Sequence, residues 1–266
     1  MICTLIVNSE TIKNIYEKRD CLSWQPLTLI SDEIRMYVDN TRNEQNRIER
    51  FSAYSLLYFA INEFFERSDK RILRDENGKP YFPRLGDEAD IFFSISHSGG
   101  MSAVTISDEG ECGVDIQLMP EREMSERIEK RFLNSFHIDG SDKRISRIGG
   151  DDQSESLLKE NAHKQKRDFN TALPRRHFVY FAEPTDNGFK LLSEQKEIRL
   201  LHEKMNDDFE IRFLKKWTLC EAILKCFGSG FKDLRNLNTY MDSCDLWFSA
   251  LGASEKIFGL SASVKK

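Results

Sequence analysis

Trp217-Thr-Leu-Cys-Glu-Ala-Ile-Leu-Lys225 has the spacing of a helix with Glu221 and Lys225 on one face, because these two residues are four positions apart. A second stretch, Gly113-Val-Asp-Ile-Gln117, has the pattern of a short apolar strand that delivers one carboxylate, Asp115. Two carboxylates from different elements, with a lysine nearby, suit a hard divalent cation and a phosphorylated substrate. The two stretches therefore predict where the chemistry of this chain lies.

The composition is that of a globular protein. The 266 residues allow one large domain or two small ones, and 39% hydrophobic with 31% charged residues is a usual soluble balance. A net charge of −5 gives no indication of broad nucleic-acid binding. No apolar run approaches the roughly 20 residues of a membrane span, and the start, Met1-Ile-Cys-Thr-Leu-Ile-Val, fits a strand better than a signal peptide. We expect a cytoplasmic protein with no nucleic-acid or membrane partner.

The six cysteines are scattered along the chain, without a Cys-x-x-Cys pair, at positions 3, 21, 112, 220, 226 and 244. This spacing predicts reduced, mostly buried thiols rather than a zinc site or a disulfide framework.

Residues 1–117 have the patterns of mixed helix and strand. One strand lies within residues 1–30, and 31–68 are helical by pattern, with Ser31 as an N-cap and an apolar core helix over 51–65. Strand patterns follow at 91–96, 101–107 and 112–117. The turns Ser98-Gly-Gly100 and Asp108-Glu-Gly110 predict that these three strands form two successive hairpins.

After these strands the sequence predicts an amphipathic helix over 121–136, followed by a polar segment expected to be a mobile surface insertion. Residues 177–203 predict a strand, a turn and a further strand or helix. The motif helix, 212–227, ends at Gly228, and the tail is expected to hold one or two short strands. The mixture favours α+β, divided into halves 1–110 and 111–266, with the insertion around 137–176.

Five blocks, taken in order, resemble the signatures of the Sfp-type 4′-phosphopantetheinyl transferases. They are Asn77-Gly-Lys-Pro-Tyr-Phe82, Phe93-Ser-Ile-Ser-His-Ser98, Gly113-Val-Asp-Ile-Gln117, Lys130-Arg-Phe-Leu133 and Trp217-Thr-Leu-Cys-Glu-Ala-Ile-Leu-Lys225. The resemblance covers about 45–135 and 210–230. It implies transfer of 4′-phosphopantetheine from coenzyme A to a serine of an apo acyl or peptidyl carrier protein, with Mg²⁺ and with release of adenosine 3′,5′-bisphosphate. It also implies a monomeric chain that folds as a pseudo-dimer of two similar α+β halves.

The resemblance assigns the catalytic residues. Asp115 and Glu221 are the implied Mg²⁺ ligands, with Gln117 as a further one, and Lys225 is the implied positive charge on the phosphates. Glu221 is also the candidate that takes the proton of the carrier serine. The residues alone leave simpler interpretations open. Glu221 and Lys225 would also suit a surface ion pair worth about 0.3–0.5 kcal/mol, and Asp115 a turn-capping role.

The resemblance also implies coenzyme A contacts. Ser96 and His97 would face the 3′-phosphate, Lys79 the nucleotide end, and Arg50 a phosphate through a looser alignment. Further basic candidates that the sequence does not rank are Arg35, Arg42 and Arg47. A structural histidine at position 97 and a solvated turn lysine at position 79 remain the simpler alternatives.

Two positions depart from the family pattern. Gln117 stands where many relatives have a glutamate, and Cys220 where the family usually has a lysine. Both changes remove charge near the predicted site, so a non-catalytic relative that binds coenzyme A or a carrier protein is the alternative function. The span from 131 to 217 is also long, so 177–203 could supply strands that the short tail lacks.

The insertion has a local surplus of basic residues, at positions 159, 164, 166, 167, 175 and 176. These residues could steer an acidic carrier protein toward a chain that is itself acidic. A solvated loop without a partner is the other interpretation.

Overall fold

The computed structural model describes residues 1–17, 30–65, 67–84, 86, 88–133, 136, 145–147, 177–185, 188–193, 209–253 and 256–266. The helices in these ranges are α1 Glu10–Glu17, α2 Asp32–Asp39, α3 Glu44–Phe64, α4 Arg122–Ile128, α5 Phe209–Phe227 and α6 Leu237–Asp242, with a π-helical turn at Glu129–Leu133 and a 3₁₀ segment at Gly230–Asn236. The strands are β1 Ile2–Asn8, β2 Leu73–Arg74, β3 Pro80–Tyr81, β4 Phe92–Ser98, β5 Met101–Ser107, β6 Cys112–Leu118, β7 Ile145–Arg147, β8 His177–Thr185, β9 Gly188–Ser193, β10 Cys244–Ala253 and β11 Lys256–Lys265. The architecture is α+β.

The first sheet has the strand order β4-β5-β1-β8-β9, with β1 antiparallel to β5 and parallel to β8. The central strand β1 is a nearly continuous apolar run because both of its faces are covered. Its Cys3, Leu5 and Val7 pack against α3, where Leu56 and Leu57 are fully buried. This confirms the predicted core helix.

The second sheet has the order β6-β11-β10-β7, and α5 packs on its outer face. Its inner face shares an apolar cluster with the first sheet: Val114 and Leu260 pack there with Ile2 and Ile6 of β1. The layers are therefore α3, first sheet, second sheet and α5. No helix in the described ranges has both the length and the apolar character needed to cross a membrane.

Three expectations about strand pairing are wrong. Strand β6 forms no hairpin with β5 and pairs instead with β11, because its apolar face packs on the first sheet while its other face receives α5. The tail strands β10 and β11 are not short, since they pair over ten residues each. Strands β8 and β9 join the first sheet beside β1, so they do not supply the second. The division into halves 1–110 and 111–266 stays a prediction.

The predicted helices are confirmed in place but differ in extent. The helical stretch 31–68 is two helices, α2 and α3, each with its own N-cap: Ser31 Oγ accepts from the backbone N of Ile34, and Asn43 Oδ1 accepts from that of Asn46. Within the predicted insertion, β7 pairs in parallel with β10. The rest of 137–176 lies outside the described residues, so its predicted mobility is untested.

Candidate active site

A glycine in β6 brings α5 onto this strand. A Cβ atom at Gly113 would lie 1.9 Å from the carbonyl oxygen of Ala222 and 2.5 Å from the backbone N of Cys226. Ser263 Oγ also donates to that oxygen, at 2.9 Å. Only glycine allows this close approach, which sets the turn that carries Glu221 and Lys225 against Asp115.

Asp115 lies at the seam between the two sheets with a side chain only 7% exposed. Its Oδ1 accepts from Lys225 Nζ at 2.7 Å and from Ser96 Oγ at 2.8 Å, and Lys225 Nζ also donates to Ser96 Oγ at 2.9 Å. Within the described residues, the buried Oδ2 atom has no hydrogen-bond partner. Buried polar atoms are rarely left in this state, so the second oxygen is a candidate ligand atom.

Glu221 shares the site with Asp115. Burial and, to a smaller extent, the charge of Asp115 raise the pKa of Glu221 to about 7, against the opposing effect of Lys225. Two ionised carboxylates beside the single ammonium group of Lys225 leave the site with a net negative charge. A hard divalent cation fits this donor set.

No third His, Cys, Asp or Glu joins these two carboxylates in a possible metal cluster within the described ranges. Mg²⁺ commonly uses one or two carboxylates and completes its octahedron with water and substrate phosphate oxygens. Gln117 lies two positions beyond Asp115, and its Nε2 donates to the carbonyl of Leu118 at 2.9 Å. Its role as a ligand stays a prediction.

A cavity of about 250 Å³ opens beside the carboxylates. Glu221 and Lys225 line it, so both predicted groups face a space that a ligand can enter. Its other walls are Asn77, Gly78, Lys79, Pro80, Phe93, Ser94, Ile95, Leu224, Gly228, Gly230 and Phe231. Three of the five sequence blocks therefore meet around one space, while Asp115 lies behind Lys225.

Lys79 lines this cavity and also holds the end of α5. Its Nζ donates to the Glu111 carboxylate and, at 2.9 Å, to the carbonyl oxygen of Cys226 in the last helical turn. A cation suits this position because the carbonyl end of a helix is negative. Gly228, at φ +67°, ends the helix beside the Lys79 side chain. The predicted contact of Lys79 with the nucleotide remains untested.

The structure separates Ser96 from His97. Neighbouring residues of a strand point to opposite faces, and Ser96 meets Asp115 and Lys225 at the seam. His97 faces α3, where its Nδ1 lies 2.8 Å from Oε2 of Glu49. The sequence did not single out Glu49, which looks like an ordinary helical glutamate. The predicted contact of both residues with one phosphate stays a prediction.

Arg50 lies with a second arginine that the sequence missed. The Arg50 guanidinium lies 5.1 Å from the centre of the Tyr37 ring, and that of Arg74 lies 4.5 Å from the same ring. Arg74 also donates to Tyr54 Oη and to the carbonyl of Gly78 in the cavity wall. No motif marks Arg74. Of the unranked candidates, Arg42 is exposed, whereas Arg35 and Arg47 are half-buried.

The departure at Cys220 points into the core. Its side chain is fully buried in the apolar cluster under α5, and burial raises its pKa to about 12, with added effects of Glu221 and Asp115. Lys216, four positions before Cys220, forms an ion pair with Glu129 at 3.3 Å. Trp217 is partly buried and packs against the same cluster.

Comparison with known proteins gives a short local match. No protein-family model matches the chain. The 4′-phosphopantetheinyl transferase AcpT of Escherichia coli O157:H7 and that of strain K12 are each 43% identical to it over 51 residues. The match covers 19% of this chain and 25% of each relative, so the chain spans about a quarter of the length of these curated relatives. This local similarity supports the family that the five sequence blocks resemble.

Proposed function

We propose that this chain transfers 4′-phosphopantetheine from coenzyme A to a serine of an apo carrier protein. The observation that carries the proposal is that Asp115 from β6 and Glu221 from α5 lie together beside Lys225, and that one buried oxygen of Asp115 has no hydrogen-bond partner in the described part of the chain. The local similarity to a phosphopantetheinyl transferase supports it independently. Each side of the seam has one sheet and one long outer helix, α3 on the first sheet and α5 on the second, and this arrangement also suits a pseudo-dimer.

The charge of the site favours a divalent cation. Asp115 and Glu221 contribute two negative charges when ionised, whereas Lys225 contributes one positive charge. A pyrophosphate would therefore meet a net negative site. Asp115 and Glu221 would hold Mg²⁺, with Gln117 as a further candidate. The bound ion would neutralise the charge that builds on the departing pyrophosphate oxygen.

Lys225 provides the fixed positive charge for the substrate. Its Nζ is anchored by Asp115 and Ser96, and the side chain is 31% exposed along the cavity. The ammonium group has three N–H donors, and Asp115 and Ser96 accept from two of them. A phosphate in the cavity can accept a hydrogen bond from the third. The contact holds the pyrophosphate where the serine hydroxyl must attack.

Glu221 is the group suited to take the serine proton. Without a metal, burial and the charge of Asp115 against the opposing Lys225 raise the pKa of Glu221 to about 7, and a bound Mg²⁺ would lower it, so the carboxylate would be ionised and able to accept a proton. It lines the cavity, so an incoming hydroxyl can reach it. Asp115 lies deeper and is held by two hydrogen bonds, which favours a role in positioning.

The test is direct modification of carrier proteins. The purified chain is mixed with coenzyme A, Mg²⁺ and a panel of apo carriers, and each carrier is weighed by mass spectrometry. We expect one carrier to gain the mass of one phosphopantetheine, and Asp115→Ala and Glu221→Ala to abolish the gain. Glu129→Ala is the matched control, since this carboxylate pairs with Lys216 outside the cavity. Coenzyme A binding without transfer to any carrier would instead identify a non-catalytic binding relative.

A further inference from the structure

Glu49 is a buried carboxylate within α3, with a side chain only 3% exposed. Burying an ionised carboxylate is costly unless hydrogen bonds compensate for the lost water. Glu49 lies in α3 next to the buried residues Ile48, Phe51 and Ser52. Its presence therefore needs an explanation in terms of the groups around it.

Three donors surround the Glu49 carboxylate. Oε1 accepts from the backbone N of Gly100 at 2.6 Å and from Gln45 Nε2 at 3.1 Å, and Oε2 lies 2.8 Å from His97 Nδ1. Burial raises the pKa of Glu49, but the hydrogen bonds from His97, Gly100 and Gln45 outweigh this effect and lower it. Glu49 is therefore ionised at neutral pH and can only accept hydrogen bonds.

This fixes the orientation of His97. Because the carboxylate can only accept, Nδ1 of His97 must carry a proton, and Nε2 lies on the opposite side of the ring. The side chain of His97 is 24% exposed. It stands two strand positions beyond Ile95 of the cavity wall, roughly 7 Å along the strand. A ligand that extends from the cavity along β4 can therefore reach this histidine.

We propose that Glu49 is a positioning residue, which holds His97 so that Nε2 faces a terminal phosphate of the ligand. The assignment of the ligand rests on the proposed function, since coenzyme A carries a 3′-phosphate apart from its pyrophosphate. In the complex Nδ1–H donates to Glu49 and Nε2–H donates to the phosphate, since both partners can only accept. Glu49 also anchors the turn after His97, where Gly99 and Gly100 adopt φ +58° and +92°.

Two measurements test this role. Imidazole ¹⁵N spectra, with His97 assigned by His97→Gln, should show the free wild type protonated at Nδ1. In Glu49→Gln this preference should be lost. Calorimetry should show that the wild type binds adenosine 3′,5′-bisphosphate more tightly than adenosine 5′-monophosphate. Glu49→Gln and His97→Gln should each reduce this preference by about tenfold or more, the scale of one charged hydrogen bond.

Gln45→Ala is the matched control, because it removes a hydrogen bond to the same carboxylate without touching His97. It should keep both the spectrum and the preference. Should Glu49→Gln not fold, the wild-type spectrum and His97→Gln still decide, and a wild-type His97 protonated only at Nε2 would overturn the proposal. A preference that survives in folded Glu49→Gln would overturn the role of Glu49 alone. A wild type with no preference and no transfer activity would instead count against the proposed function.

Discussion

Replacing Glu221 by glutamine should stabilise the metal-free protein at pH 8 while abolishing carrier modification. Burial, assisted by Asp115, raises the pKa of Glu221 from 4.5 to about 7, so ionisation of this residue opposes folding. Below about pH 4.5 the group is protonated in both the folded and unfolded states, and the penalty is absent. Above pH 7 it is ionised in both states, and the penalty is complete.

The size of the effect follows from the same pKa difference. A pKa raised from 4.5 to about 7 corresponds to on the order of 3 kcal/mol in the free energy of unfolding. The opposing effect of Lys225 is already contained in this pKa, and solvent around the partly exposed side chain reduces the energy further, so we expect about 1–3 kcal/mol. For a domain of this length, each kcal/mol raises the melting temperature by about 2–4 °C.

The assay is urea and thermal unfolding of wild type and Glu221→Gln between pH 5 and 8.5, first in a chelator and then in Mg²⁺. The advantage of glutamine should grow as the pH rises from 5 to 8. Added Mg²⁺ should stabilise the wild type more than the variant, because a bound ligand stabilises the folded state according to its affinity. Glu129→Gln should show neither effect, because Glu129 pairs with Lys216.

A glutamine variant that is no more stable than wild type at pH 8 would refute the reasoning. So would a difference that stays constant from pH 5 to 8.5, because that would point to a packing change rather than to the charge of Glu221. Equal stabilisation of both proteins by Mg²⁺ would remove Glu221 from the list of ligands.

Three further predictions concern the surroundings of the site. Gly113→Ala should destabilise the chain by about 3 kcal/mol or more and remove activity, because its Cβ would collide with the Ala222 carbonyl; urea unfolding measures this. Lys79→Met should lower stability by about 1–2 kcal/mol and weaken coenzyme A binding in calorimetry, because the end of α5 loses its cation. Deleting 150–170, which spares β7, should raise the KM for an acidic carrier at low salt and leave coenzyme A binding unchanged.

Each of these predictions has its own control. At Gly110 an added Cβ would lie 3.4 Å from its nearest neighbour, the Lys265 backbone oxygen, so Gly110→Ala should be mild. A severe loss there would contradict the argument for Gly113. Lys70→Met removes a surface lysine whose partner is Asn62, and it should leave coenzyme A binding intact. Unchanged carrier kinetics at low ionic strength would show that the segment 150–170 does not attract the carrier.

Local features of the fold were predictable because short stretches of sequence determine them. Ser31 is the N-cap that its position indicates, and Gly228 ends α5 where the helical pattern stops. The three strand patterns at 91–96, 101–107 and 112–117 lie within one or two residues of β4, β5 and β6. The residues that meet at the site were predicted from the resemblance of the five ordered blocks to the family signatures. Helix spacing alone also allowed a surface ion pair between Glu221 and Lys225.

The pairing of strands was not predictable from these patterns. A hairpin of β5 and β6 agrees with the turn between them, but β6 pairs with β11, more than 130 positions away. One face of β6 is buried by the first sheet and the other by α5. Both partners are distant in sequence, so the local pattern of β6 does not indicate them. Glu49 was missed for the same reason. Its partners His97, in β4, and Gly100, in the turn after it, are about fifty positions away along the chain.

The location of the site follows from how the two sheets meet. Strands β4 and β6 are outer strands of different sheets, and hydroxyl groups join them: Ser94 Oγ accepts from the backbone N of Val114, and Ser98 Oγ from that of Leu118. These serines alternate along one face of β4, with Ser96 between them. Ser96 does not accept a backbone proton but donates to Asp115, and this leaves the carboxylate at the centre of the seam. The ionisable side chain of Asp115 fits between β4 and β6 because these two strands are connected by side-chain hydrogen bonds and not by a backbone ladder. This leaves space beside Asp115 for Lys225 and a ligand.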